Sequence, residues 1–95
     1  MAYVVTFTSR GKKTLLSLPK PTRLLILSWV KENLDGSDNP TSVGDRKHIE
    51  GTKMGWRWRI GQHRILARVD DTSKTVEIFR VTTRQNAYDN LPDKL

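Results

Sequence analysis

Apolar positions along the chain change from helical spacing to a period of two close to residue 45. Residues 3–7, YVVTF, are β-branched and aromatic and predict an opening strand. The stretch TSRGKKTLLSLP then predicts a short helix with Thr8 or Ser9 as its N-cap. Gly11 weakens that helix, and Pro19 ends it. In KPTRLLILSWVKENLDG, Leu24, Leu27, Val30 and Leu34 recur at helical spacing, so a second, firmer helix follows. Pro21 suits its first turn and Gly36 its C-terminal cap. Two helices joined across LPKP form a helical hairpin.

Residues 35–45, DGSDNPTSVGD, are loop chemistry throughout. Beyond them the period becomes two. HIEGTK, GWRWRI, HRILARVD and TVEIFRVT read as four strands, DDTSK as a hairpin turn and RQNAYDNL as a closing helical turn. The order β-α-α-β-β-β-β predicts an α+β fold. An N-terminal strand and the helical hairpin would pack on one face of a small antiparallel sheet. A chain of 95 residues suffices for one modest core, so residues 1–95 are read as a single domain without repeat or linker.

Composition narrows the function classes. The absence of cysteine excludes disulfides and thiolate metal sites. With only His48 and His63 as histidines, a histidine-rich metal site is not expected, and no cofactor is implied. The N-terminus lacks the longer apolar core of a secretory signal, and LLILSWV is too short to cross a bilayer. A cytoplasmic protein with no membrane partner is therefore expected. The formal net charge of +7 points to a polyanion, nucleic acid first and an acidic protein or anionic membrane after it.

That charge is concentrated. Between residues 46 and 68 lie Arg46, Lys47, Lys53, Arg57, Arg59, Arg64 and Arg68, against the single acid Glu50. Strand alternation puts Arg57 and Arg59 on one face and Trp56, Trp58 and Ile60 on the other. In the next strand Arg64, Leu66 and Arg68 alternate with His63, Ile65, Ala67 and Val69. Two adjacent antiparallel strands then present Arg57, Arg59 and Arg64 together. For any one arginine a solvated sheet face is the simpler reading. Three with almost no acid nearby favour a phosphate site, because the planar guanidinium binds phosphate oxygens bidentately. Lys47, Lys53 and Arg68 are the accompanying candidates for RNA contact. Composition and spacing reach no further than an anion-binding face.

The order of these features is more specific than any one of them. A helical hairpin leads into GWRWRIGQHRILARVDD and then VEIFRVTTRQNAY. A basic strand ends in Gly, an aromatic or His precedes Arg at the start of the next strand, and R-x-x-x-Y closes the pattern. This resembles the toxins of the RelE/ParE superfamily, from Tyr3 to Tyr88. The resemblance implies the toxic half of a toxin–antitoxin module. In the RelE-like branch it implies metal-independent endoribonucleolytic cleavage of messenger RNA, commonly in the ribosomal A site, which inhibits translation. It assigns catalytic positions to Arg57, Arg59, Arg64, Arg84 and Tyr88. It also implies a cognate antitoxin, acidic and partly disordered, that folds as it wraps the toxin. The ParE-like branch, directed at DNA gyrase, shares the fold and usually lacks this full set. A non-catalytic nucleic-acid-binding module is the alternative from another class. Arg46 falls near the place of a catalytic Glu in some relatives, and no His follows residue 63, so the general base is not carried over from them.

The chemistry constrains the roles. Cleavage without metal requires deprotonation of the ribose 2′-OH, stabilisation of a charged phosphorane and departure of the 5′-oxygen. Arginines supply the second by preorganised electrostatics. A free phenol titrates near ~10, and neighbouring cations favour its phenolate, which fits Tyr88 beside guanidinium groups. Arg84 then stabilises charge on the phosphate or leaving oxygen. Other prominent residues read as structural. His63 shares parity with Ile65 and Ala67, His48 is a surface residue, and Trp56 and Trp58 belong to the core. Trp29 is core or partner interface, and Asp70 and Asp71 start a turn.

Overall fold

The structure, a computed structural model, describes residues 2–83 and residue 91. Strand β1 (Val4–Phe7) leads into helices α1 (Ser9–Leu16) and α2 (Lys20–Asn33). After a 3-10 turn at Pro40–Ser42 come β2 (Asp45–His48), β3 (Gly55–Ile60), β4 (His63–Asp70) and β5 (Thr75–Thr82). Helix α1 is capped by Thr8, whose side-chain oxygen accepts the Gly11 N–H at 2.9 Å. Gly11, read from sequence as a weakness, has a positive reason. Its Cα faces β5 so closely that a Cβ would overlap the Ile78 carbonyl oxygen and stand 3.1 Å from Phe79 Cα. Glycine lets the helix lie directly on the strand.

Helix α2 carries Pro21 in its first turn, and the chain leaves it through Gly36 at φ 81°, a left-handed geometry that glycine adopts without steric penalty. Its buried side is formed by Ile26 and Val30, continued by Leu34 just past its end. Leu24, expected on that side, is 52% exposed. The apolar run LLIL satisfies several helical stripes equally well, and packing selected the one containing Ile26.

The sheet order is β1-β5-β4-β3-β2. The antiparallel succession β2 to β5 follows the expected pattern, and β1 joins it in parallel beside β5, making the sheet mixed. The ladder of β1 ends where Thr8 N–H donates to Ile78 O at 2.9 Å. From there α1 takes over the edge of β5, and the Thr14 hydroxyl accepts the Val81 N–H at 3.0 Å. The open side of β1 is closed by the segment after α2. Tyr3 exchanges backbone hydrogen bonds with Gly36 and Ser37, and Asp35 Oδ1 accepts the Val5 N–H at 3.1 Å. Such capping blocks edge-to-edge pairing. Strand β2 corrects the sequence reading. It starts at Asp45, in the stretch read as loop, and ends at His48 rather than running through HIEGTK.

One irregularity sets the faces. Leu66 pairs with Arg80, but Ala67 pairs with Ile78, so Phe79 is an extra residue on β5. A bulge of one residue reverses side-chain parity beyond it. Val81 thereby enters the main core, while Arg80 and Thr82 stand beside Leu66 and Arg64. That core lies between sheet and helices. It includes Leu15, Ile26, Val30, Leu34, Trp58, Ile65, Val76 and Ile78. Trp58 is fully buried and donates its Nε1–H to Pro40 O at 3.1 Å. Truncating such a residue typically costs ~3–5 kcal/mol. On the opposite, helix-free face a smaller cluster joins Ile49, Leu66, Phe79 and Leu91.

Two outcomes follow from this packing. Helix propensity alone makes Gly11→Ala stabilising by about 1 kcal/mol. The overlap with Ile78 instead requires a backbone shift, so thermal or urea unfolding of that variant should show a loss of about 2 kcal/mol. Tyr3 OH donates to Asp71 Oδ1 at 2.5 Å, and this bond, with burial and the charges of Asp71 and Asp70, raises its pKa above the ordinary 10.0. The neutral phenol is thus favoured by the fold. Its contribution is complete below pH 10 and declines as pH rises through the elevated value. Unfolding measured across alkaline pH should show that decline in the wild type and not in Tyr3→Phe.

Candidate nucleic-acid interface

Cross-strand register places the sequence-predicted arginines directly. Arg59 faces Arg64, Arg57 faces Leu66, and Gly55 faces Arg68 across β3 and β4. Cross-strand partners share a face, so Arg57, Arg59, Arg64 and Arg68 all lie on the helix-free side. On β2, Lys47 faces Arg57 and Asp45 faces Arg59, which brings them to the same side. Trp58 and Ile65, partners on the other side, belong to the main core. The alternation argument therefore sorted arginine from tryptophan as the structure does.

Within this face the residues differ. Arg57, expected as a surface residue, is 7% exposed and occupies the centre. Its Nη1 lies 3.5 Å from Asp45 Oδ1, and its buried Nε has no hydrogen-bond partner among the described residues. Desolvating a guanidinium costs several kcal/mol, roughly, and a half-exposed carboxylate returns about 1 kcal/mol or less. Among the described residues Arg57 thus stands as an incompletely compensated cation, held in place by strands. Arg59 is more open and lies 4.0 Å from the other oxygen of Asp45. Directly opposed like charges destabilise a sheet, so the Arg59–Arg64 pair also raises the attraction of this face for an anion.

The remaining candidates separate by position. Lys47 lines a cleft of about 380 Å³ with His48, Ile49, Glu50, Arg57 and Leu91. Lys53 is exposed in the turn between β2 and β3, beyond the Gly55 end of the strand, and does not join the cluster. Arg68 is at that same end and pairs with Asp70 at 3.4 Å. Asp70 chiefly caps the β4–β5 turn. Its carboxylate is held below the ordinary range first by the Ser73 N–H and then by the Thr72 N–H, with Arg68 a lesser contributor. Arg84 and Tyr88 lie outside the described residues. The chain enters that stretch from Thr82, which faces Arg64, and Leu91 beyond it lies in the cluster on the same helix-free face.

His63 is half-buried opposite Ile60, and His48 is exposed with its ring edge-on to Trp56 at 5.3 Å. Trp56 packs against the main core, and Trp29 does so as well, with its ring over Gly44. Two residues of this face were missed from sequence. Asp45 was assigned to a loop, and a DR-K-H run without apolar alternation carries no strand signal. Arg80 comes to the face only through the bulge, for which the IF doublet at Ile78 and Phe79 was the available sign. Among the described residues no group of three or more His, Cys, Asp or Glu is placed to hold a metal, and no helix is long and apolar enough to cross a membrane.

Known proteins resemble this chain in sequence and architecture. Residues 5–88 match the family described as the ParE toxin of type II toxin-antitoxin systems, parDE. Toxin RelG of Mycobacterium tuberculosis is 33% identical over 90 residues, spanning 93% of this chain and 98% of that protein. Among solved structures, the toxin–antitoxin complex RelBE2 from Mycobacterium tuberculosis contains a chain with TM-score 0.75 and 28% identity, over 88% of this chain and 100% of that one. The archaeal RelE–RelB complex from Pyrococcus horikoshii matches with TM-score 0.70 and 28% identity, over 92% of this chain and 100% of its counterpart. A family match across most of the chain, joined to a fold of two helices on a five-stranded mixed sheet, means that this chain belongs to the RelE/ParE superfamily and is a RelE-like toxin of a type II toxin–antitoxin module.

Proposed function

We propose that this toxin is a metal-independent endoribonuclease that cleaves messenger RNA, in the ribosomal A site, and so arrests translation. The observation that carries the reading is the convergence of Arg57, Arg59 and Arg64 on one sheet face, with Arg57 buried and, among the described residues, incompletely paired. In this mechanism the guanidinium groups hold the scissile phosphodiester. The 2′-OH gives its proton to Tyr88 as phenolate and attacks the adjacent phosphorus. Arg57, Arg59, Arg64 and Arg84 stabilise the charge that gathers on the phosphorane oxygens. The P–O5′ bond then breaks, leaving a 2′,3′-cyclic phosphate, and the departing oxygen takes a proton from water. Lys47 and Arg68 contact flanking phosphates, and Lys53 reaches RNA further along. Holding the RNA in line on the ribosome supplies much of the remaining acceleration.

The same reading includes control by a cognate antitoxin in the cytoplasm. A groove between the helices is lined by Phe7, Lys12, Leu15, Leu16, Arg23 and Leu27. Leu16, Leu24 and Leu25 stand 54%, 52% and 63% exposed on the hairpin. Apolar residues flanked by Lys12 and Arg23 suit an acidic amphipathic helix. The matched Mycobacterium tuberculosis and Pyrococcus horikoshii structures are toxins bound to antitoxins.

Removing one preorganised donor typically costs about a hundred- to thousand-fold in rate. Arg64→Ala and Arg84→Ala should each lose growth arrest on that scale while melting like the wild type. Full toxicity in both would remove the catalytic assignment. Induced toxin should also produce cuts within translated codons, mapped by primer extension. Gyrase-linked DNA breaks with intact messages would instead identify a gyrase poison.

A further inference from the structure

The acid that the arginines share suggests a role inside the site. Asp45 lies at the start of β2, opposite Arg59, with one carboxylate oxygen 3.5 Å from Arg57 Nη1 and the other 4.0 Å from Arg59 Nε. The two oxygens thus divide between two guanidinium groups, as the non-bridging oxygens of a phosphodiester would. We infer that Asp45 is a built-in counterion, a carboxylate that occupies the anion position of the arginine face in the free toxin and must yield when an RNA phosphate arrives.

This deepens the phosphate-site reading and rests on it. The asymmetry of exposure supports the exchange. The Arg57 side chain is 8% exposed and is fixed by its strand, whereas the Asp45 side chain is 59% exposed at the open edge of the sheet. The carboxylate is therefore the movable partner, and water replaces the guanidinium contacts when it turns away. No other carboxylate among the described residues reaches either arginine within ion-pair distance. In the free toxin Asp45 relieves repulsion among Arg57, Arg59 and Arg64. Toward a phosphodiester it acts in the opposite sense, competing for the same N–H groups and repelling the incoming charge. A face tuned in this way binds stray polyanions weakly and relies on a second contribution to binding, such as positioning of the RNA, before the carboxylate is displaced. Asp45 is thus a positioning residue that sets the affinity threshold of the site.

The test is binding of a 2′-O-methyl oligoribonucleotide, which has no 2′-hydroxyl to react, followed by fluorescence anisotropy at low salt. Two weak contacts of an exposed carboxylate are relieved in Asp45→Asn, which should tighten binding by about five-fold. Asp45→Ser removes the same charge with a different shape and should give the same gain, whereas Asp45→Glu should stay near the wild type. Asp38→Asn, an equal change in net charge on the exposed loop, should leave affinity unchanged. In an Arg59→Ala background the gain from Asp45→Asn should shrink, a coupling that a purely structural role does not produce. Unaltered or weaker binding by both Asp45→Asn and Asp45→Ser, or an equal gain in Asp38→Asn, would overturn the counterion role. Absence of binding in every protein would overturn it together with the RNA reading. Tighter binding without any RNA cleavage by the wild-type toxin would leave the counterion standing and remove only the nuclease.

Discussion

The pairing of β3 with β4 is the constraint on which the molecule depends. Because Arg59 stands opposite Arg64 and Trp58 opposite Ile65, every residue of the two strands is committed to one side. A slip of one position would put arginines beneath the helices and Trp58 in water. The fully buried Trp58 resists that slip with the large cost of exposing an indole. The main core thus holds the arginines in register from the other side of the sheet.

The two sides of the sheet have different physics. On one, the hairpin of α1 and α2 buries apolar side chains, and Gly11 brings α1 against β5 at close range. On the other, a small apolar cluster around Leu66 leaves room for concentrated positive charge. Repulsion within that charge is tolerated because the main core supplies the stability. The bulge at Phe79 matters to both sides at once, since it returns Val81 to the core and directs Arg80 and Thr82 toward the arginines. The strand therefore delivers the chain, two residues before Arg84, to a point beside Arg64.

This division also separates two kinds of surface. The helix-free face gathers guanidinium groups in a geometry fixed by strand register. The hairpin, with exposed Leu16, Leu24 and Leu25, presents apolar side chains to solvent.

Much of this was legible in one dimension. Thr8 as a cap, Pro21 and Gly36 at the limits of α2, the hairpin turn after Asp70 and the split between arginine and tryptophan are all local or strictly periodic, and local rules describe them well. The sequence by itself also determined that this is a strongly basic chain with its charge concentrated between residues 46 and 68, and alternation placed Arg57 and Arg59 on one face of their strand. Tertiary structure alone decided the parallel addition of β1, the choice of Ile26 over Leu24, the burial of Arg57 and the meeting of Asp45 with two arginines. Each of these depends on contacts between segments far apart along the chain, where periodicity carries no information and only packing against a particular neighbour selects the outcome.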